Sequence, residues 1–172
     1  LSRLKGHEDF IELIARLRAR GLSVRGLVVG GPEPRRQRYA DGLREIVRSR
    51  GLGDVVLFAG HRGDMREVYA VSTVVLSLSA KPESFGRTVL EALSLGVPVI
   101  GYDRGGVGEI LGRIYPAGSV PAGDLDTLTA RVVEWLGAAP PVPPDPGFPL
   151  QRMLDETLAL YEGLCHAPRA PA

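Results

Sequence analysis

The 172-residue chain has a single cysteine, Cys165. A disulfide framework and a cysteine-built metal centre within the chain are thereby excluded, and a reducing compartment, the cytosol, is the expected setting. Histidine is almost as sparse: His7, His61 and His166 stand in separate segments without ligand spacing, so no metal site is expected. Neither sign of charge is in excess. Lys and Arg total 21 against 20 Asp and Glu, a net charge of +1, which removes the broad positive field that nucleic acids and anionic membranes select. No nucleic-acid partner is expected, and any charged ligand must be recognised locally. Also missing is any apolar run near the roughly 18 residues of a membrane span, and the first thirty residues are too charged for a secretory signal. There is no G-x-S-x-G elbow and no Walker loop. The first residue is Leu1 rather than Met, so the chain is expected to be processed or cut from a longer polypeptide.

What is present describes an ordinary folding unit. Apolar residues make up 44% and charged residues 24%, values that rule out disorder and fibrous repeats. The length suits one domain, expected over residues 1–139, with a connector at 140–149 and a terminal helix and tail of the same domain at 150–172. Short valine-rich runs at 24–30 (VRGLVVG), 55–60 (VVLFAG), 73–79 (TVVLSLS) and 98–102 (PVIGY) read as buried strands. Between them, 8–20, 36–50, 64–72 and 86–95 read as helices; in the first, Phe10, Leu13, Ile14 and Leu17 share one face. Two further helices are expected at 124–137, with Asp124 as cap, and at 150–164. Strands that are apolar throughout, alternating with helices, predict an α/β fold: a Rossmann-like, doubly wound parallel sheet with helices on both faces. Ligands of such sheets bind at the carboxyl ends of the strands. The connector has six prolines in ten residues, which favours a stiff, extended spacer that sets the last helix apart; a proline-rich recognition motif is the second reading.

Several segments fall at that ligand-binding edge. The Gly30-Gly31-Pro32 turn follows the first strand but lacks the full G-x-G-x-x-G pattern, so a plain tight turn is equally compatible. The segment KPESFGRTVLE, residues 81–91, is richer. Glu83 and Ser84 lie on a loop after a strand, Gly86 permits close backbone approach, and the next helix opens with free N–H groups suited to an anion such as a diphosphate. On the helical wheel Val89, Leu90, Ala92 and Leu93 form one apolar arc, and Glu91 lies opposite with Arg87, Thr88 and Ser94. Pattern alone favours a plain Arg87–Glu91 pair on a solvated face; the functional alternative has Glu91 accepting hydrogen bonds from ligand hydroxyls in a cleft. Lys5 precedes a helix start, where the dipole repels cations unless an anion is shared. Residues 103–109 (DRGGVGE) read as a second glycine-rich turn able to admit a phosphate.

These residues carry a family resemblance. Lys5-Gly6-His7 followed by FIELIARL, the VVGG turn, VLFAGHRGD, PESFGRTVLEALSLGVPVIGYDRGGVGEI and the closing TLALYEGL occur in order over nearly the whole chain. The chain thus resembles the carboxyl-terminal, donor-binding domain of glycosyltransferase family 4 (group 1), enzymes of the GT-B fold; Glu83 and Glu91 match that family's Glu-x7-Glu signature. The resemblance implies a retaining, metal-independent hexosyltransferase without a cofactor, whose substrate is a UDP-, GDP- or ADP-linked sugar. It implies that Glu83 holds donor-sugar hydroxyls, Lys5 neutralises the departing diphosphate, and Glu91 binds the ribose. The loop that includes Ser84, with backbone amides of Phe85, Gly86 and Arg87, would reach the sugar and diphosphate, with Thr88 beside the phosphates. Gly30 and Gly31 would lie near the diphosphate and Arg62 near the base.

The resemblance also sets two departures. The family pairs the Lys with an upstream Arg in a G-R-L start, which would precede Leu1, and its acceptor-binding amino-terminal domain, the implied partner, is not in these 172 residues. The isolated domain is therefore expected to bind nucleotide weakly and to transfer nothing, and the inner membrane face is expected to be reached only through that other domain. Alternatives are a noncatalytic nucleotide-binding or interaction module of the same fold, and a different GT-B enzyme such as a nucleotide-sugar epimerase.

Overall fold

The computed structural model describes residues 1–31, 37–144 and 147–166. A 3₁₀ turn, Arg3–Lys5, leads into α1 (His7–Ala19), followed by β1 (Gly26–Val29), α2 (Gln37–Ser49), β2 (Val56–Gly60), α3 (Met65–Ala70) and β3 (Val75–Ser77). Then come α4 (Arg87–Ser94), β4 (Val99–Tyr102), α5 (Gly105–Ile114), β5 (Ser119–Val120), α6 (Leu125–Ala138) and α7 (Leu150–His166). Every strand pairing is parallel: β1 with β2, β3 with β4, and β4 with β5. Among the described residues the ladder is split, because β1 and β3 are not bonded to each other.

Helices cover the strands as the apolar faces require. Ile11, Leu13, Ile14 and Leu17 of α1 are buried against β1, α2 and α6. Val89, Ala92 and Leu93 bury α4 on β3, β4 and α5. β4 is buried at all four positions, as expected of a strand covered on both faces. Each fully enclosed Val or Ile there contributes about 1.5–3 kcal/mol. Asp124 caps α6 as its sequence position predicts, accepting from the Thr127 N–H at 2.9 Å and the Thr127 hydroxyl at 2.6 Å. The Tyr102 hydroxyl donates to Asp9 Oδ2 at 2.7 Å, tying β4 to the first turn of α1.

Three expectations change. Residues 103–109 are not a glycine-rich turn: α5 begins at Gly105. Gly106 serves packing, since a Cβ there would fall 2.4 Å from the Phe85 carbonyl oxygen. β5, two residues long, was too short to show a pattern. The proline-rich connector is not a free spacer in its described part. Val142 and Phe148 pack on the core, the Tyr115 hydroxyl donates to Pro140 O at 2.6 Å, and Phe148 sits edge-on to Phe85 with Arg113 over its ring. An aromatic edge, a guanidinium and a phenol hydroxyl hold these described residues against the body. Beyond it, the apolar residues of α7 (Leu150, Leu154, Leu158 and Tyr161 among them) stay exposed. Among the described residues, no helix is long and apolar enough to cross a membrane. Pro32, Arg36 and the tail at 167–172, named in the sequence reading, lie outside the described residues.

Candidate functional site

Three chain segments meet at the carboxyl end of β3, where the continuous apolar strand gives way to SAKPES. The first is the chain start. The Ala80 N–H donates to Leu4 O at 2.8 Å, and Gly6, at φ 69°, lies so close to Leu78 that a Cβ would come within 1.9 Å of its carbonyl oxygen. Only glycine satisfies both conditions, and this contact sets Lys5 over the β3 loop. The second is the loop itself, held from below. Glu83 forms a parallel bridge with Gly105, and its carbonyl accepts from the Gly106 N–H at 2.8 Å. The third is α4, whose N-cap is Gly86 at φ 92°.

At this junction Lys5 Nζ donates to Glu83 Oε1 at 2.7 Å, and the Ser79 hydroxyl donates to the same oxygen. Burial pushes the Glu83 carboxyl up, but the hydrogen bonds from Lys5 and Ser79 and the Lys5 charge outweigh it and hold it below its ordinary value. Lys5, misplaced for the dipole of α1, is thus explained by an anion from another loop. The start of α4 remains positive. No side chain caps it, no acidic residue lies in its first turn, and its bonding begins with Val89 N–H to Gly86 O at 3.0 Å. The amides of Arg87 and Thr88 precede that bond and are available to an anion.

Glu91 departs from the expected pair with Arg87. It accepts from the Tyr69 hydroxyl of α3 at 2.9 Å. Burial first, then the bond to Glu91 and its charge, push the Tyr69 phenol up to about 12, so it stays protonated and a donor. The helical wheel could place Glu91 on a polar side, but 22 residues separate it from Tyr69 and nothing in the local pattern joins them. Ser79 was missed for a similar reason, as a short polar residue ending an apolar run.

One cavity of about 1210 Å³ gathers Lys5, Gly30, Arg62, Glu83, Thr88 and Glu91 on its lining. Ser84, Phe85, Gly86 and Arg87 form the loop and turn beside it without lining it, and the Gly31 carbonyl accepts from the Leu1 ammonium. Arg62 is held by Asp64, with Nε to Oδ1 at 2.8 Å and a second bond to Oδ2. The arrangement offers one end with a cation, free amides and a helix dipole, and carboxylates at two separated points. That combination suits a ligand with a diphosphate and hydroxyl groups on either side of it.

Comparison with known proteins agrees. The model of the family "Glycosyl transferases group 1" matches residues 1–138. The 2-deoxystreptamine N-acetyl-D-glucosaminyltransferase of Streptomyces fradiae is 35% identical over 128 residues, 73% of this chain and 29% of that protein. The D-inositol 3-phosphate glycosyltransferase of Rhodococcus erythropolis is 40% identical over 125 residues, 70% of this chain and 26% of that protein. The chain thus spans less than a third of the length of these curated relatives. Among solved structures, a glycosyltransferase from Rickettsia africae superposes with a TM-score of 0.82 over 97% of this chain and 46% of that one, at 21% identity. Anabaena HepE, solved with UDP and glucose, gives 0.73 over 80% of this chain and 37% of that one, at 27% identity. The fold is that of the carboxyl-terminal half of GT-B glycosyltransferases, and the chain belongs to the glycosyl transferases group 1.

Proposed function

We propose that this domain binds the nucleotide-diphospho-sugar donor of a retaining, metal-independent hexosyltransferase of family 4, whose acceptor is held by a separate amino-terminal domain. The observation that carries the reading is the Lys5–Glu83 pair beside the uncapped start of α4, on the same cavity as Glu91. Breaking the bond from the sugar carbon to the diphosphate oxygen leaves the electron pair, and a growing negative charge, on the diphosphate. Fixed donors aimed at that charge lower the barrier. In this reading Lys5 exchanges Glu83 for the diphosphate, and the amides of Phe85, Gly86, Arg87 and Thr88 complete the cradle. Glu83, released but still ionised, accepts from the sugar hydroxyls, and Ser84 flanks it. Glu91 accepts from the ribose, oriented by Tyr69. Gly30 and Gly31 border the diphosphate, and Arg62, part of whose hydrogen bonding is given to Asp64, lies toward the base. The HepE complexes with UDP, with UDP and glucose, and with UDP-glucose support UDP as the first base to test, with GDP and ADP next.

The test is turnover by the full-length protein. Incubated with UDP-, GDP- and ADP-sugars and a chelator, it is expected to transfer or hydrolyse one of them with net retention at the anomeric carbon. Glu83→Gln should abolish this without loss of fold. An inverted product, or no donor turnover with any base, would sink the reading.

A further inference from the structure

The connector between α6 and α7 is fastened near its start by the hydroxyl of buried Tyr115, which donates to Pro140 O at 2.6 Å, and by Val142, packed on the core. Phe148 adds a contact of another kind, to the loop between β3 and α4. Its ring centroid lies 6.0 Å from that of Phe85 with the planes at 82°, and the Arg113 guanidinium carbon stands 5.2 Å from the Phe148 centroid. Both separations are those of favourable edge-to-face and cation–π contacts. Arg113 and Gly106 are seven residues apart on α5, and so share one face of that helix. Gly106 carries the Phe85 main chain: a Cβ there would fall 2.5 Å from the Phe85 Cα and from its carbonyl carbon. One face of α5 thus supports the backbone of Phe85 in its first turn and, through Arg113 in its last, the ring of Phe148.

The loop itself is tied at Glu83, which is bridged to Gly105 and whose carbonyl accepts from the Gly106 N–H. Next to Phe85 stands Gly86, at φ 92°, immediately before the open amides of α4. Glycine adopts either sign of φ at little cost, so the Phe85–Gly86 peptide has a rotational freedom that a side chain at position 86 would remove. The Phe85 ring is the handle on that peptide. Phe85 is 43% exposed and does not line the cavity, so its ring acts on a ligand through the main chain it carries. A partner that restricts the ring restricts the peptide with it, and amides already held toward an anion lose less freedom when they bind it.

We infer that Phe148 is a positioning residue for the nucleotide site: its edge-on contact with Phe85 steadies the Phe85–Gly86 peptide and the amides that open α4. The inference rests on the reading of that helix start as the diphosphate cradle. Phe148 itself touches no ligand in it. Through this ring the proline-rich connector, otherwise fastened at Pro140 and Val142, takes part in the site.

Four versions of this chain test it: wild type, Phe148→Ala, Phe148→Tyr, which keeps the ring, and Val142→Ala, which removes the connector's other apolar anchor and touches neither ring. Two quantities are read, the backbone order parameters of Phe85, Gly86 and Arg87 by nuclear magnetic resonance without nucleotide, and the affinities for UDP, GDP and ADP by titration calorimetry. Phe148→Ala should lower the order parameters from about 0.85, the rigid value, to below about 0.6. It should weaken binding of the preferred nucleotide by roughly two- to tenfold, the worth of one aromatic pair. Phe148→Tyr should restore both, and Val142→Ala should lower the melting temperature while leaving both as in wild type. If Phe148→Ala does not fold, Phe148→Leu, which keeps apolar bulk without a ring, takes its place with the same expectations. Unchanged order parameters on loss of the ring, or equal loosening in Val142→Ala, would overturn the inference. A nucleotide that binds wild type and the ringless variant equally would overturn it too, and would leave the donor reading standing. If wild type binds none of the three, it is the donor reading that falls, and the order parameters still decide whether Phe148 holds the loop.

Discussion

β4 is buried at every position, with Val99 and Ile100 fully enclosed, whereas Leu27 of β1 and Leu57 of β2 are 40% and 48% exposed. The β3–β5 half also holds the Lys5–Glu83 pair, the start of α4 and Glu91. The β1–β2 half contributes Gly30, Gly31 and Arg62, on a ladder broken by an irregularity between Val28 and Val29. Rigid packing thus surrounds the groups proposed to meet the breaking bond, where small displacements cost most. Looser packing surrounds the groups proposed to border the rest of the nucleotide.

Two glycines of the same backbone type separate the halves most sharply. Gly6→Ala adds a Cβ within 1.9 Å of a backbone oxygen at φ 69°, while Gly60→Ala, at φ 68°, meets nothing within 4 Å. Denaturant unfolding should show a loss above about 4 kcal/mol for Gly6→Ala and only the left-handed strain of about 1–2 kcal/mol for Gly60→Ala. Equal losses would mean that the halves do not differ in rigidity. Next in size is Lys5→Ala, which should lower kcat of the full-length protein by roughly 10²–10³-fold, as loss of one transition-state donor does, and weaken nucleotide binding to a smaller degree. Arg62→Ala should instead act on donor affinity. Glu91→Ala should weaken nucleotide binding by about 10- to 150-fold, the worth of hydrogen bonds to a charged group; Tyr69→Phe should cost less, because it removes only the group that orients Glu91. Isothermal titration of both variants distinguishes the two contributions.

The smallest effect is a pH dependence beside the site. Burial first, then the nearby N-terminal ammonium and Lys5, lower the His7 pKa despite its contact with Ser2 O. A histidine with a depressed folded pKa contributes stability that is complete above its unfolded value of about 6.5 and is lost as pH falls through that value toward the folded one. Melting temperature should therefore fall between pH 7.5 and 5.5, and fall less in His7→Gln. Identical slopes would remove His7 from the account.

Much of the architecture was legible because it rests on local pattern. The four valine-rich runs and the apolar face of α1 follow from period alone, and the Asp124 cap from its place before an apolar stretch. α5 escaped because GGVGEILG is rich in glycine, which opposes helix formation in isolation; the packing of Gly106 against Phe85 overrides that preference. The site was legible in parts. Glu83, Glu91 and Lys5 could be marked as candidates from the family pattern, and the structure brings them to one cavity. Their actual partners, Ser79 and Tyr69, depend on contacts between loops and helices distant in sequence, which no local spacing records. The connector misled in the opposite sense: its prolines suggest an independent spacer, and Phe148, Val142 and the Tyr115–Pro140 hydrogen bond fasten its described part to the body.

The central claim is that Lys5, Glu83 and Glu91 form a nucleotide-sugar site, and thermal unfolding of this chain against millimolar UDP, GDP, ADP and their sugar conjugates tests it most directly. At a hundred times the dissociation constant a ligand adds about 2.7 kcal/mol, which for a domain of this size raises the melting temperature by roughly 5–10 °C. The account predicts such a rise with one base, cut to between about half and a tenth of its size in Glu91→Ala, as a 10- to 150-fold loss of affinity requires, and reduced in Lys5→Ala. A rise of the same size in all three proteins, or none in wild type with any nucleotide or sugar conjugate, would contradict it.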